Sequence, residues 1–195
     1  MTEAQREEAL RLRQLCRRPW HSPPHWESQT RRYHVIAACY EHAPVIGVSP
    51  ERMASSSEAL LQTIHSLVEQ THAWVVLPNH YHALVTTHDV LFLLAALGRL
   101  HGRTSYQWNG EDNERGRQVW CKAAETSMKS ERHFWATMNY VLNNPVHHRY
   151  VTRWRDWPFG SGRDYLDTVG FDEARRVWQD HPIEEYGKDW DPVGT

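Results

Sequence analysis

The fold of this chain is decided by one stretch of sequence, Leu77-Pro78-Asn79-His80-Tyr81-His82-Ala83-Leu84-Val85. The Pro-Asn dipeptide separates two apolar runs, which is typical of two strands joined by a tight turn. Because strand side chains alternate between faces, His80 and His82 share one face, about 7 Å apart, and Tyr81 points into the opposite side as a core anchor. Two imidazoles at this spacing can bind one divalent ion. In a chain with 14 histidines the pair also arises by chance, which leaves two surface histidines as the alternative.

Around this hairpin the sequence predicts alternating strands and helices. Ser49-Pro50 and Asp89 are N-terminal helix signals, and each precedes apolar residues at helical spacing. The expected elements are a strand at 33–40, a helix at 50–70, the two hairpin strands, a helix from 89 toward 108, a polar loop at 109–113, a strand at 117–122, a helix at 132–142 capped by Ser130, and a short helix at 171–179. This order predicts an α+β fold, a ferredoxin-like four-stranded antiparallel sheet with helices packed on one of its faces.

The chain divides into three predicted parts. We expect an N-terminal helix and linker at 1–30, a catalytic domain at 31–150 and an aromatic, basic C-terminal extension at 151–195. The length of 195 residues suits one such domain with extensions.

Composition restricts the classes of function. The net charge of −2 provides no overall basic field, so any contact with nucleic acid must depend on local basic patches. Ten tryptophans and eight tyrosines can pack a core or stack on unpaired bases. The three cysteines are scattered, as in a reducing compartment. We find neither a membrane-length apolar run nor a signal peptide, and expect a cytoplasmic, nucleoid-associated protein.

A second informative stretch is Asn139-Tyr140-Val141-Leu142-Asn143-Asn144-Pro145. Residues four apart on a helix share a face, so Tyr140 and Asn144 can be presented together to the sheet that carries the histidines. Pro145 disfavours a helical conformation at Asn144, which predicts that the helix ends there. Two imidazoles and an amide oxygen would leave positions on a metal for a phosphate oxygen, and the tyrosine could attack the phosphorus. A core aromatic and a helix cap are the alternatives for the two residues.

These motifs resemble those of the REP-associated tyrosine transposases, single-tyrosine transposases with a His-hydrophobe-His motif. The resemblance runs from about Tyr33 to Leu166. Its most specific parts are Pro78 to His82, Lys129 to Pro145, and Trp157 to Ser161. The two main motifs also follow one another in the family's order on the family's fold plan.

The resemblance implies a metal-dependent endonuclease and strand transferase that acts on single-stranded DNA. Tyr140 matches the nucleophile, which would form a 5′-phosphotyrosine and leave a 3′-hydroxyl. His80 and His82 match metal ligands, Asn144 matches the third ligand, and the implied ion is Mg²⁺ or Mn²⁺. The implied substrate is a palindromic DNA hairpin of the repetitive extragenic type with a short single-stranded guide sequence beside it, bound by a monomer or a homodimer.

Seven basic residues are candidate DNA contacts, with a solvated polar surface as the alternative for each: Arg99, Arg103, Arg115, Arg117, Lys122, Lys129 and Arg132. His147 and His148 follow the tyrosine motif closely and are expected to lie at the surface or contact phosphate, with competing metal ligands as the alternative. Two other functions remain open. One is a sequence-specific DNA-binding regulator that keeps the fold without the chemistry, and the other is a structural metal-binding domain. A replication initiator or relaxase is a variant of the nuclease hypothesis, which the short chain disfavours.

Overall fold

A computed structural model gives the fold of this protein and describes residues 31–183. The strands are β1 (Arg32–Ala38), β2 (Gln70–Val76), β3 (His80–Thr86) and β4 (Ala124–Ser127), and the α-helices are α1 (Pro50–His65), α2 (Val90–Glu111), α3 (Glu131–His147), α4 (Gly162–Val169) and α5 (Phe171–Asp180). The sheet order is β2-β3-β1-β4, and every neighbouring pair is antiparallel. The ferredoxin-like prediction is therefore confirmed. The helix predicted near the N-terminus lies outside the described residues.

The helices cover both faces of the sheet, so the prediction of a single covered face was wrong. One face, with Val35, Ala37 and Ala83, packs against the apolar sides of α1 and α2. The other face, with Val75 and Leu84, packs against α3. Strand β3 is buried along both faces up to Val85. Two apolar faces of one sheet each require a covering layer, which is the physical reason for helices on both sides.

The first face anchors the hairpin in the core. The hydroxyl of Tyr81 lies 3.0 Å from Nε2 of His101 on α2, and the His101 ring stacks on Trp120. Burial raises the pKa of Tyr81 and lowers the pKa of His101 to about 4, so both side chains are neutral at neutral pH. The anchoring role predicted for Tyr81 fits these contacts.

The predicted helix starts are confirmed, and several boundaries differ. Ser49 and Asp89 accept capping hydrogen bonds from the backbone of Arg52 and Phe92. The first helix ends at His65 rather than 70, and α5 ends one residue beyond its prediction. Helix α4, within the turn-rich part of the predicted extension, was not predicted.

Two predicted elements near residue 110 were wrong. Most of the expected polar loop at 109–113 is the last turn of α2. The buried guanidinium of Arg52 donates hydrogen bonds to the carboxylates of Glu111 and Asp112 at the end of this helix. Hydrogen bonds from Arg52 lower the pKa of Asp112 to about 2. The last strand comes later than 117–122, because the earlier segment makes only an isolated bridge between Trp120 and Cys39.

Helix α3 continues through Pro145 to His147, contrary to the prediction that it ends at Asn144. Proline lacks an N–H, yet in the last turn it removes only one hydrogen bond of the helix. The carbonyls of Asn144 and Pro145 accept bonds from His148 and Tyr150 at 3.0 and 2.9 Å. Asn144 therefore stays helical and keeps the face of Tyr140.

The segment after α3 packs along the outer edge of β2. Phe159 accepts a backbone hydrogen bond from Val76, and Ser161 donates one to Trp74, at 2.8 and 2.9 Å. The indole of Trp157 donates to the carbonyl of Val76 at 2.9 Å. Residues 157–161 thus cover a strand edge that would otherwise be exposed. Within residues 31–183, no helix is long and apolar enough to cross a membrane.

The hairpin turn is held by a close backbone approach at Gly47. Its N–H donates to the carbonyl of Pro78 at 2.9 Å, and a Cβ at position 47 would overlap the ring of Pro78.

Gly47→Ala should therefore lower the free energy of unfolding by about 1–3 kcal/mol, measured by urea denaturation. Gly98→Ala is the matched control, because it lies within α2 with nothing within 4 Å of the new Cβ. The control should be neutral or stabilising by up to about 1 kcal/mol. Equal stability of the two variants would contradict this interpretation of the turn.

Candidate active site

The candidate site lies between α3 and the sheet face that carries the histidines. His80 and His82 project from β3 toward α3, and both are fully buried. His34 of β1 lies beside them and is also buried. In the register of the sheet, His82 pairs with Ile36, which places His34 diagonally across from it on the same face. Three imidazoles therefore meet on one side of the sheet.

The structure brings together the four residues predicted from the two motifs. Nε2 of His80 lies 3.1 Å from Oδ1 of Asn144. The Tyr140 ring meets the His82 ring edge-on, with 5.3 Å between the ring centroids and 82° between the planes. Helix α3 supplies both partners from one face because Tyr140 and Asn144 are four residues apart. Two motifs more than 50 positions apart in the chain form one cluster.

Hydrogen bonds fix the orientation of the His80 ring. Asn79 donates from Nδ2 to the carbonyl of His42, so its Oδ1 faces Nδ1 of His80, at 2.6 Å. Nδ1 of His80 must then carry the proton, and the lone pair of Nε2 points at Asn144. The turn residue Asn79 thus selects the tautomer that a metal ligand requires.

A second buried contact orients His82. Its Nδ1 lies 2.9 Å from Nε2 of His34, and the two rings stack with centroids 5.0 Å apart. With Nδ1 engaged by His34, Nε2 is the nitrogen of His82 that can bind a metal. His34 had no predicted role. Its only signal in the sequence is a polar residue inside an otherwise apolar strand.

The geometry of His80 and Asn144 fits two ligands of one ion. Adjacent ligands of an octahedral ion with bonds of about 2.1 Å lie about 3 Å apart. The separation of 3.1 Å between Nε2 and Oδ1 matches this value. Nδ2 of Asn144 is buried and has no hydrogen-bond partner among residues 31–183, so the protein leaves the amide unsatisfied on that side. Among residues 31–183, no group of three His, Cys, Asp or Glu side chains is arranged to hold a metal ion.

Tyr140 is buried between imidazoles. It is 4% exposed, and its ring also contacts His34, with centroids 6.1 Å apart. The Tyr140 ring therefore lies between α3 and the sheet, almost completely covered from solvent.

His148 borders the site, whereas His147 is exposed. The rings of His148 and His80 lie 5.0 Å apart, and Tyr150 stacks beyond His148. His148 is thus a neighbour of His80, the position that the alternative of a competing ligand requires.

The predicted basic residues fall on two sides of the molecule. Lys129 and Arg132 flank the start of α3, on the side of the sheet where the site lies, and Lys122 precedes β4. Arg115 packs on the Tyr106 ring, and Arg117 pairs with Asp112. Those two residues, with Arg99 and Arg103, lie on or beyond α2 and thus on the opposite face of the sheet.

Comparison with known proteins supports the fold. No protein-family model matches the chain, and no curated protein matches its sequence significantly. A solved structure described as a REP-associated tyrosine transposase bound to a REP hairpin is similar to it, with a TM-score of 0.54 and 19% identity. The similarity covers 89% of this chain and 93% of the other. The chain has the fold of this transposase. The resemblance stated from the sequence motifs is confirmed at that level.

The tautomer of His80 is directly measurable. Long-range ¹H–¹⁵N NMR spectra of the metal-free protein should show His80 protonated at Nδ1, because Asn79 accepts that proton. Asn79→Ala should abolish this preference, since the acceptor is lost. The exposed His65 at the end of α1 is an internal control and should not change. A wild-type His80 protonated only at Nε2 would contradict the proposed orientation.

Proposed function

We propose that this protein is a metal-dependent endonuclease and strand transferase that acts on single-stranded hairpin DNA. The observation that carries the proposal is the contact of Tyr140 and Asn144 with His82 and His80, in one cluster under α3. The similar fold of a transposase whose structure contains a REP hairpin supports DNA as the substrate. All four residues lie within the described part of one chain, which supports a site completed within that chain.

The proposed reaction begins with attack by the Tyr140 oxygen on a phosphorus of the DNA backbone. The new O–P bond joins the 5′ side of the break to Tyr140, the P–O3′ bond breaks, and the departing oxygen takes a proton to become a 3′-hydroxyl. Attack of a 3′-hydroxyl on the phosphotyrosine would reverse this step and join strands. A free tyrosine has a pKa of about 10, so the phenol must be helped to lose its proton at neutral pH.

We propose that His80, His82 and Asn144 hold a divalent ion, Mg²⁺ or Mn²⁺. When bound there, the ion would polarise a phosphoryl oxygen and stabilise the charge that develops during attack. The three donors are uncharged, so a phosphate oxygen of the DNA would complete the coordination and strengthen binding. Two nitrogen donors favour Mn²⁺, because Mg²⁺ prefers oxygen ligands. Asn79 and His34 would orient the two histidines.

DNA binding would depend on local basic groups, because the whole chain carries a net charge of −2. Lys129 and Arg132 lie on the same side of the sheet as the site and are the first candidates for phosphate contacts. A protein that acts on chromosomal hairpins would be associated with the nucleoid.

A second candidate function is a hairpin-binding regulator without cleavage activity. It is favoured by the burial of Tyr140, which is only 4% exposed. The two functions differ in whether the hydroxyl of Tyr140 ever reaches DNA.

Tyr140→Phe separates these functions. Protein incubated with Mn²⁺ and a labelled single-stranded hairpin should form a covalent adduct that survives denaturing electrophoresis. Tyr140→Phe should abolish the adduct, because the attacking oxygen is lost, and should leave hairpin affinity unchanged within about two-fold. Tyr150→Phe, which alters a tyrosine beside His148, is the matched control and should keep the adduct. An adduct formed by Tyr140→Phe would rule out this nucleophile. Tight hairpin binding without any adduct in the wild type would favour the regulator.

Substitutions at Asn144 test the third ligand. Asn144→Ala should weaken Mn²⁺ binding at least about ten-fold, and Asn144→Asp should strengthen it by a similar factor, because a carboxylate adds charge to an uncharged donor set. Calorimetry or Mn²⁺ electron paramagnetic resonance measures both effects without a cleavage assay. The neighbouring Asn143→Ala is the control, since residue 143 is turned about 100° from Asn144 on the helix. Equal Mn²⁺ affinities of all the variants would exclude Asn144 as a ligand.

A further inference from the structure

One side of α2 is exposed along most of its length and carries large aromatic side chains. We call it the outer face of α2, and it consists of Phe92, Ala95, Arg99, Gly102, Arg103 and Tyr106, all of them exposed. Phe92 is 51% exposed and Tyr106 is 75% exposed. Large aromatic side chains that remain exposed on one side of a helix indicate an interaction surface.

The centre of the outer face allows another helix to approach closely. Ala95 and Gly102 are small, and a Cβ built at Gly102 would meet no atom within 4 Å. The guanidinium of Arg99 lies over the ring of Phe92, 5.9 Å from its centroid, so this cation packs along the aromatic end of the face. Small residues between larger ones form a groove that accepts the side chains of a second helix.

The chain enters the described domain beside the start of this face. The carbonyl of Arg31 accepts a hydrogen bond from the N–H of Thr87 at 3.0 Å, and the guanidinium of Arg31 lies 3.3 Å from Nε2 of His88. Helix α2 begins shortly afterwards, at Val90. Residues 1–30, which lie outside the described part of the chain, are therefore attached next to the first exposed residues of the outer face.

The sequence of residues 1–18 predicts a helix with one apolar side. Ala9, Leu12, Leu15 and Cys16 recur at spacings of three and four residues, so they share one side of the predicted helix. Leu10 falls on a different side, turned by about 140° or more from Leu12 and Leu15. A leucine of the same segment is thus available as an internal control.

The lengths of the two helices match. A helix over residues 1–18 would be about 27 Å long, and the outer face of α2 from Phe92 to Tyr106 is about 21 Å long. The connecting residues 19–30 can span up to about 40 Å when extended, which is enough to join either end of such a helix to Arg31.

Charge and attachment favour the same orientation. The outer face carries Arg99 and Arg103 in the second half of its length and has no aspartate or glutamate. The glutamates of the predicted helix all lie in its first half, at positions 3, 7 and 8. An antiparallel arrangement places these glutamates beside the two arginines and residue 18 near the attachment point. A second copy would instead bring Arg99 and Arg103 against the same arginines, which repel each other.

We propose that residues 1–18 form an amphipathic helix that packs antiparallel on the outer face of α2. Leu12 and Leu15 cover Ala95 and Phe92, and the glutamates lie beside the arginines. The exposed aromatic side chains of α2 are thereby buried by a segment of the same chain. The inference is independent of the proposed function, because α2 covers the sheet face opposite the candidate site.

Disulfide cross-linking in the full chain tests this packing, since Cys16 lies on the apolar side of the predicted helix. Every variant also carries Cys121→Ser, because Cys121 is exposed, whereas Cys39 is buried and burial raises its pKa to about 12. On oxidation with diamide, Ala95→Cys should form a disulfide with Cys16 within one chain, detected by mass spectrometry and non-reducing electrophoresis. Asp167→Cys, exposed on α4, is the matched control and should form none.

Substitutions in the N-terminal segment should change stability according to the side of the predicted helix that they occupy. Leu12→Asp and Leu15→Asp should each lower the melting temperature by at least about 2 °C, because a charge then faces apolar side chains. Leu10→Asp should leave the melting temperature unchanged. In a chain that also carries Phe92→Asp, Leu15→Asp should have a smaller effect, because the surface it contacts is already altered.

Three results would overturn the inference, whether or not the protein cleaves DNA. A disulfide of Cys16 with Gly102→Cys in place of Ala95→Cys would contradict the antiparallel packing. A disulfide between two chains, with the mass of a dimer by light scattering, would assign the outer face to a second copy. The absence of any disulfide, with equal melting temperatures for the three leucine variants, would assign it to another partner. Protection of Ala95→Cys from alkylation by hairpin DNA would then identify that partner as nucleic acid.

Discussion

The candidate site depends on one packing contact, that of α3 with the histidine-bearing face of the sheet. This contact buries two imidazoles of β3, the imidazole of His34, a phenol and a carboxamide together. Burying such polar groups costs free energy unless they satisfy one another. The contacts of His80 with Asn79 and of His82 with His34 meet part of this requirement. An apolar cluster of similar volume would avoid this cost, and the proposed function gives the polar groups a role that offsets it.

The two faces of the sheet have different physical roles. The face under α1 and α2 is an ordinary apolar core, in which even the polar pair of Tyr81 and His101 is kept neutral by burial. That core packs against the face of β3 opposite the histidines and fixes the position of the strand. The turn at Pro78 and Asn79 is fixed by backbone hydrogen bonds to Gly47 and Cys39. The histidines on the other face are therefore positioned by a part of the molecule that carries no chemistry itself, as precise ligand geometry requires.

Helix α3 lies between the candidate site and the C-terminal helix α5. Its inner face carries Tyr140 and Asn144, and its outer face supports α5 through Asn139. The segment 157–161 ties the chain back to the edge of β2 before α4 begins. The residues after α3 therefore both protect an exposed strand edge and pack on the outer surface of the same helix.

The sequence alone determined the order of the elements, the caps at Ser49, Asp89 and Ser130, and the pairing of His80 with His82 and of Tyr140 with Asn144. These depend on local rules, the twofold alternation of a strand and the 3.6-residue period of a helix. Only the tertiary structure decided which face α3 covers, how α3 continues through Pro145, and where the last strand lies. It also placed His34 in contact with His82, a role for which the sequence offers no more than a polar residue in an apolar strand, and it showed that His148 rather than His147 lies beside His80. Those features depend on residues far apart in the chain, because the packing of two apolar sheet faces and the mutual satisfaction of buried polar groups are decided when the whole domain assembles.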